Sequence, residues 1–211
     1  MDEQEARLGL AGRIGGALCL DFVNTVDWPG RAQRSERLRS YADLARWAQY
    51  GGVMTVDQAD AAIAAGAAAP ERARDTLEQA RALRDALYRI LRAVTRHDAP
   101  APADLGTLNA WIGTALAQGC VTVTDGGFAW GWQDAPQRLD APLWPVARSA
   151  VDLLTGPALA RVHQCADAEC GWFFLDTSKN GSRRWCSMDG CGSRAKARQY
   201  YQRQQAARAR A

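Results

Sequence analysis

Four of the six cysteines lie in one short stretch as two pairs, Cys165/Cys170 and Cys186/Cys191. Each pair has four residues between its members, and fifteen residues separate the pairs. Two matched pairs of soft thiolate ligands are what a tetrahedral zinc ion requires: each pair wraps one side of the metal, and the segment between brings the second pair back to the first. Four thiolates close the coordination sphere and leave no position for a catalytic water, so the zinc expected here is structural. A disulfide framework fits less well, because MDEQEARLGLAGR has three acidic residues among its first five and no apolar run resembling a signal peptide. A redox pair normally has two residues between its cysteines at a helix start, not four.

The chain of 211 residues has room for one core of ordinary size and a small appendage, and its hydrophobic fraction of 47% excludes a disordered protein. No apolar stretch approaches the roughly 20 residues that span a bilayer, so a cytoplasmic protein without membrane partners is expected. The net charge of +3 is unevenly divided. Residues 1–154 hold 16 Lys and Arg against 19 Asp and Glu, whereas residues 155–211 hold 10 against 4. A zinc ion with four thiolates contributes −2 and still leaves the second part at about +4, a balance that favours a polyanion as partner.

The elements that must position the cysteines read as mostly helical. Leu18 to Val26 is a buried element, helix or strand, in which Asp21 and Asn24 need partners. They are either bridging groups of the core, the favoured reading, or, with Trp28, the polar lining of a small-molecule pocket. Ser40 with Asp43 predicts a capped helix to about Tyr50, and Thr55 with Gln58 predicts a capping box for Val56 to Ala68. Behind Pro70 runs the longest helix, with Leu77, Ala80, Leu83, Leu87, Ile90, Leu91 and Val94 along one stripe and its arginines, Arg84 and Arg89 among them, read as a solvated face. Asp104 is expected to cap the next helix, to Gly119. Cys120 to Thr124 and Phe128 to Trp132 form a hairpin about Asp125-Gly126-Gly127 that must lie on the helices, since two strands alone are marginal. Pro142 to Leu154 restores a helix, and Thr155-Gly156-Pro157 is the boundary between an N-terminal domain, 1–154, and a finger, 155–211. The fold class expected is mainly α with a small β-hairpin (α+β), plus a small treble-clef-like four-cysteine zinc finger with a C-terminal helix.

Inside the finger, Trp172 to Leu175 and Arg183 to Trp185 read as the arms of a hairpin covering a unit too small for a core of its own, so that the metal is its staple. From Ser193 a basic helix follows, on which Ala197, Tyr200 and Tyr201 share a face expected to pack on the finger. Lys179, Arg183 and Arg184 of the hairpin, with Arg194, Lys196, Arg198 and Arg203 of the helix and Arg210 beyond, form a candidate duplex-binding surface.

The pattern Cys165, Cys170, FLDTS, RRWCSM, Cys191-Gly192 and RAKAR resembles the CGNR zinc finger family, and LDFVNTV followed by helices resembles the ABATE domain that accompanies it. The two resemblances cover essentially the whole chain. They imply a stress-induced transcription regulator of bacterial type, with zinc on Cys165, Cys170, Cys186 and Cys191 and the finger on DNA. One residue departs from the pattern: Ser193 stands where the family's name-giving asparagine would be.

No phosphate-cradling glycine loop, GxSxG elbow or helix-borne histidine pair is present, so an enzyme is not the expected class. The expected function is a zinc-dependent, DNA-binding regulator whose N-terminal domain senses a small-molecule effector or forms a homodimer. The alternatives are an RNA-binding or ribosome-associated module stacking bases on Trp172, Tyr200 or Tyr201, and a small-molecule enzyme sited at Asp21, Asn24 and Trp28.

Overall fold

The computed structural model describes residues 14–27, 35–133 and 138–208, the side chains of 206 and 207 excepted. Trp28 and Arg210 lie outside the described residues. The apolar run at 18 resolves into a short helix, α1 (Leu18–Val23), with Leu20, Phe22 and Val23 fully buried. Both predicted capping boxes form. Ser40 Oγ accepts the Asp43 N–H at 3.2 Å and the Asp43 carboxylate accepts the Ser40 N–H at 2.9 Å, opening α2 (Tyr41–Tyr50). Thr55 and Gln58 exchange the same bonds at the head of α3 (Val56–Ala68). Pro70 occupies the first turn of α4 (Pro70–Thr95), where its missing N–H costs nothing. The stripe from Leu77 to Leu91 is buried and forms the spine of the core.

Two residues near this spine depart from expectation. Arg84 is not solvated: it is 1% exposed and grips Glu36 with both terminal nitrogens, at 2.7 and 2.8 Å. A guanidinium can be buried when a bidentate carboxylate and further acceptors such as Thr25 Oγ1 satisfy it. Asp104 does not cap α5 (Pro102–Gln118); the N-cap position is Ala101, and Asp104 lies a turn further in, chelating Arg89 at 2.6–3.0 Å. Pro102 at the first helical position places the cap one residue ahead of it.

The hairpin forms as β1 (Gly119–Thr124) paired antiparallel to β2 (Gly127–Trp132), with Gly127 at φ 129°, a conformation side chains resist. Only its root rests on helices, through Trp132 against Trp144, and its outer end is exposed. A 3₁₀ turn at Ala141–Leu143 leads into α6 (Trp144–Thr155).

A second antiparallel hairpin joins β3 (Val162–Gln164) to β4 (Phe173–Leu175). The sequence pattern pairs 172–175 with 183–185; the strand that pairs is instead the one preceding the first cysteine, while 183–185 crosses as irregular chain. The reason is burial: Val162 and Phe173 complete the main hydrophobic core together with α1, α2 and α4, which arms covering only the finger would not do. The last helix is α7 (Ser193–Arg208). Among the described residues no helix is long and apolar enough to cross a membrane.

Candidate metal centre and its basic surroundings

The four cysteines converge. All are buried, and their sulfurs lie within 4.8 Å of one another, with Cys170 to Cys186 at 3.6 Å and Cys186 to Cys191 at 3.5 Å. Zinc–sulfur bonds of about 2.3 Å in a tetrahedron set sulfurs about 3.8 Å apart, so the cluster has the size that zinc needs. Crowding makes the bare thiols unequal. Cys165 is pulled well down by hydrogen bonds from Cys170 and then Cys186, and those two are pushed up by giving their protons to it. Burial raises Cys191. A dication resolves this conflict by binding all four as thiolates, and donors for the sulfur charge stand ready: Arg194 Nη2 is 3.0 Å from Cys191 Sγ and the Cys186 N–H 3.4 Å from Cys165 Sγ. The donor set and its dimensions fit a structural zinc ion.

Each half of the site is shaped by short-range bonds. The Cys165 N–H donates to Trp172 O at 2.8 Å and the Cys170 N–H to Asp167 O at 2.9 Å, which folds the first pair round one turn. Gly171, at φ 72°, lets the chain reverse straight after Cys170. In the second pair Ser187 Oγ accepts the Gly190 N–H at 3.2 Å, and a π turn at Met188–Gly192 delivers Cys191 to the head of α7. Ser193 donates its hydroxyl to Met188 O at 3.1 Å, closing that turn, so the serine in the asparagine position is engaged locally.

The basic residues divide into two kinds. Arg183 faces inward: its guanidinium donates to the carbonyls of Trp185 (3.0 Å), Leu175 (3.4 Å), Ile14 (3.4 Å) and Cys186, and lies 4.4 Å over the Phe174 ring. It is a clamp of the finger rather than part of an outer surface. Arg194 and Arg198 share one buried carboxylate, Asp167, at 2.8–3.2 Å, which ties α7 to the first cysteine pair. Burial opposes charge on Asp167, but the Glu169 N–H and the two guanidiniums outweigh it and hold the carboxyl below its ordinary value. Asp167 has a signal in the sequence: an acid between ligand cysteines and two arginines spaced i, i+4 on a later helix. Lys179, Arg184, Lys196 and Arg203 are exposed and have no carboxylate partner among the described residues, Arg184 lying 5.4 Å over Trp185. Tyr200 and Tyr201, expected to pack on the finger, are 60% and 64% exposed; they meet each other edge to face at 5.8 Å, and the Tyr200 hydroxyl accepts from Gln204 Nε2 at 2.7 Å on the same helix. α7 is tied to the finger as far as Arg198, and beyond it the tyrosine face is exposed.

The side chains of Asp21 and Asn24 are engaged by backbone groups of the fold. Asp21 accepts the Gly15 N–H at 2.8 Å. Asn24 pairs with the backbone of Phe173 like a neighbouring strand, donating to its carbonyl at 2.8 Å and accepting its N–H at 3.0 Å. The exposed edge of β4 thus ends on a side-chain amide from the helical body, which satisfies groups that burial would otherwise orphan. Trp172 Nε1 adds a bond to Val26 O at 3.0 Å under the Arg37 guanidinium, and the Leu175 N–H one to Gly15 O at 2.7 Å. Helical body and finger meet in a hydrogen-bonded joint.

A family model for ABATE, described as "Putative stress-induced transcription regulator", matches residues 16–157, and one for the CGNR zinc finger matches residues 161–204. No curated protein matches the chain. The helical body, covered over two thirds of the sequence, and the four-cysteine centre behind it identify the chain as a member of the ABATE family that carries a CGNR zinc finger.

Proposed function

We propose that the chain is a zinc-dependent, DNA-binding transcription regulator in which residues 155–211 contact the duplex and residues 1–154 sense a small-molecule effector. The observation that carries this reading is the set Lys179, Arg184, Lys196 and Arg203, exposed cations on the loop and helix that the four-cysteine centre holds together. Arg194 and Arg198, each still about two-fifths exposed beside Asp167, add charge on the face of α7 opposite Lys196 and Arg203. Arg183 drops out of the surface because its donors are engaged. Exposed cations not neutralised by a carboxylate are what phosphates recruit, and the zinc would set their spacing.

Point substitutions test this better than truncation, since ending the chain at residue 154 would strip Val162 and Phe173 from the core. Full-length zinc-loaded protein is compared with a Lys179→Ala, Arg184→Ala, Lys196→Ala, Arg203→Ala protein for duplex binding across a salt series. Four phosphate contacts predict a log–log salt slope reduced by about 3–4 in the variant. Equal binding by both proteins, or binding indifferent to zinc chelation, would refute the reading. The exposed pair Tyr200/Tyr201 favours a second reading, single-stranded RNA stacked on α7. Competition between duplex DNA and single-stranded RNA, repeated with Tyr200→Ala, separates the two. Trp172 is left out of this second reading, because its indole N–H is bound to Val26 O with Arg37 over the ring.

A further inference from the structure

The ribbon of β1 and β2 has one wholly apolar face. Its register pairs Gly119 with Trp132, Val121 with Trp130 and Val123 with Phe128, and strand alternation puts these six on one side. At the root that side is held down: Trp130 and Trp132 meet edge to face at 5.7 Å and Arg148 lies 5.1 Å over Trp130. Toward the tip it is bare, with Val121, Val123 and Phe128 exposed by 67%, 81% and 80%. Between root and helices lies an apolar hollow of about 200 Å³, walled by Ile112, Leu116, Trp130, Trp132 and Val151, with the Arg148–Asp152 ion pair at its margin.

We propose that this face is a homodimer interface in which Phe128 of each copy seats in the hollow of the other. The shape is self-complementary. A protruding ring and a cavity lie on one face at opposite ends of the ribbon, about 14 Å apart at about 3.4 Å per residue. A two-fold axis through the Val121–Trp130 pair turns one end onto the other, the condition for an isologous contact. The electrostatics suit a second copy and disfavour a polyanion or an anionic membrane, because Asp125 at the turn is the only charged residue from 119 to 132. The area suffices as well: Leu116, Val121, Val123, Phe128 and Trp130 together expose on the order of 600 Å² per copy, so a pair covers about 1,200 Å², the lower bound of specific interfaces. The proposal shares no residue with the nucleic-acid surface and stands without it.

Sedimentation velocity of the full-length, zinc-loaded protein from about 1 to about 100 µM tests it. The expected result is a concentration-dependent dimer that Phe128→Asp weakens at least 30-fold, roughly the size of a hot-spot loss. Leu116→Asp, in the wall of the hollow, should do the same, so that the result does not depend on one variant folding. Val56→Asp, an exposed apolar site on α3, should change nothing. A wild-type protein that stays monomeric throughout, or two interface variants that associate as wild type, would overturn the proposal. A monomer that binds 1-anilinonaphthalene-8-sulfonate with Leu116-dependent fluorescence would overturn it in favour of a small apolar ligand in the hollow.

Discussion

Replacing Asn24 with alanine should loosen the finger and the helical body together. The residue is 6% exposed, and its two bonds to Phe173 satisfy the outward N–H and carbonyl of that residue on the free edge of β4. Alanine leaves a buried N–H and a buried carbonyl without partners, each costing about 1–3 kcal/mol, against a small gain from not desolvating the amide. The net loss is about 2–4 kcal/mol, which for a chain of this length lowers the melting temperature by roughly 5–15 °C. Because Phe173 is fully buried against the Tyr88 ring at 5.5 Å, the loss falls on the shared core. The assay is thermal unfolding of zinc-loaded protein followed by helical circular dichroism and, in parallel, by zinc release to a chromogenic chelator. Both signals should shift down by the same interval in Asn24→Ala. A loss below about 0.5 kcal/mol, or zinc release that moves while the helical transition stays in place, would refute the view that the joint is part of one cooperative core.

Two further substitutions test the charged groups that the fold takes inside. Arg183→Ala removes four carbonyl bonds and a ring contact, so it should cost about 2–3 kcal/mol and speed zinc extraction, whereas Arg184→Ala should leave the melting temperature within about 1–2 °C while lowering duplex affinity; calorimetry and a binding titration on both proteins check the contrast. Burial works to raise the Glu36 carboxyl, but the Arg84 hydrogen bond and charge, with the Leu38 N–H and Arg81, outweigh it and hold the group below its ordinary 4.5. A depressed carboxyl lends stability above its unfolded value and loses it as pH falls through the folded one, so denaturant titrations should show the wild type's advantage over Glu36→Gln near neutrality shrinking below about pH 4.5. At pH 7 that advantage should be about 2–3 kcal/mol, because the buried Arg84 would lose its bidentate carboxylate and keep only the Asp85 contact at 3.3 Å.

Local chemistry was legible in the residues alone. Capping boxes at Ser40 and Thr55, the proline-led α4 with its aliphatic stripe, the β1–β2 turn and the four ligand cysteines all depend on neighbours a few positions away or on repeated spacing, and each is where its pattern placed it. Long-range pairing was not. Whether Phe173 binds Gln164, Arg183 or Asn24 depends on which partner lets a fully buried strand satisfy its backbone, and the answer spans 149 residues of sequence in the Asn24 case. The arginines make the same point. Composition shows a basic C-terminal part, but only the folded chain separates Arg183, turned in upon carbonyls, and Arg194 and Arg198, leashed to Asp167, from Lys179, Arg184, Lys196 and Arg203, left to solvent. The amino-acid sequence by itself determined the zinc ligands and most of the helices, because ligand spacing and helix signals are local. The tertiary structure decided which charges remain free to meet a partner and that finger and body share a core, because burial obliges each polar group to find a partner wherever in the chain it lies.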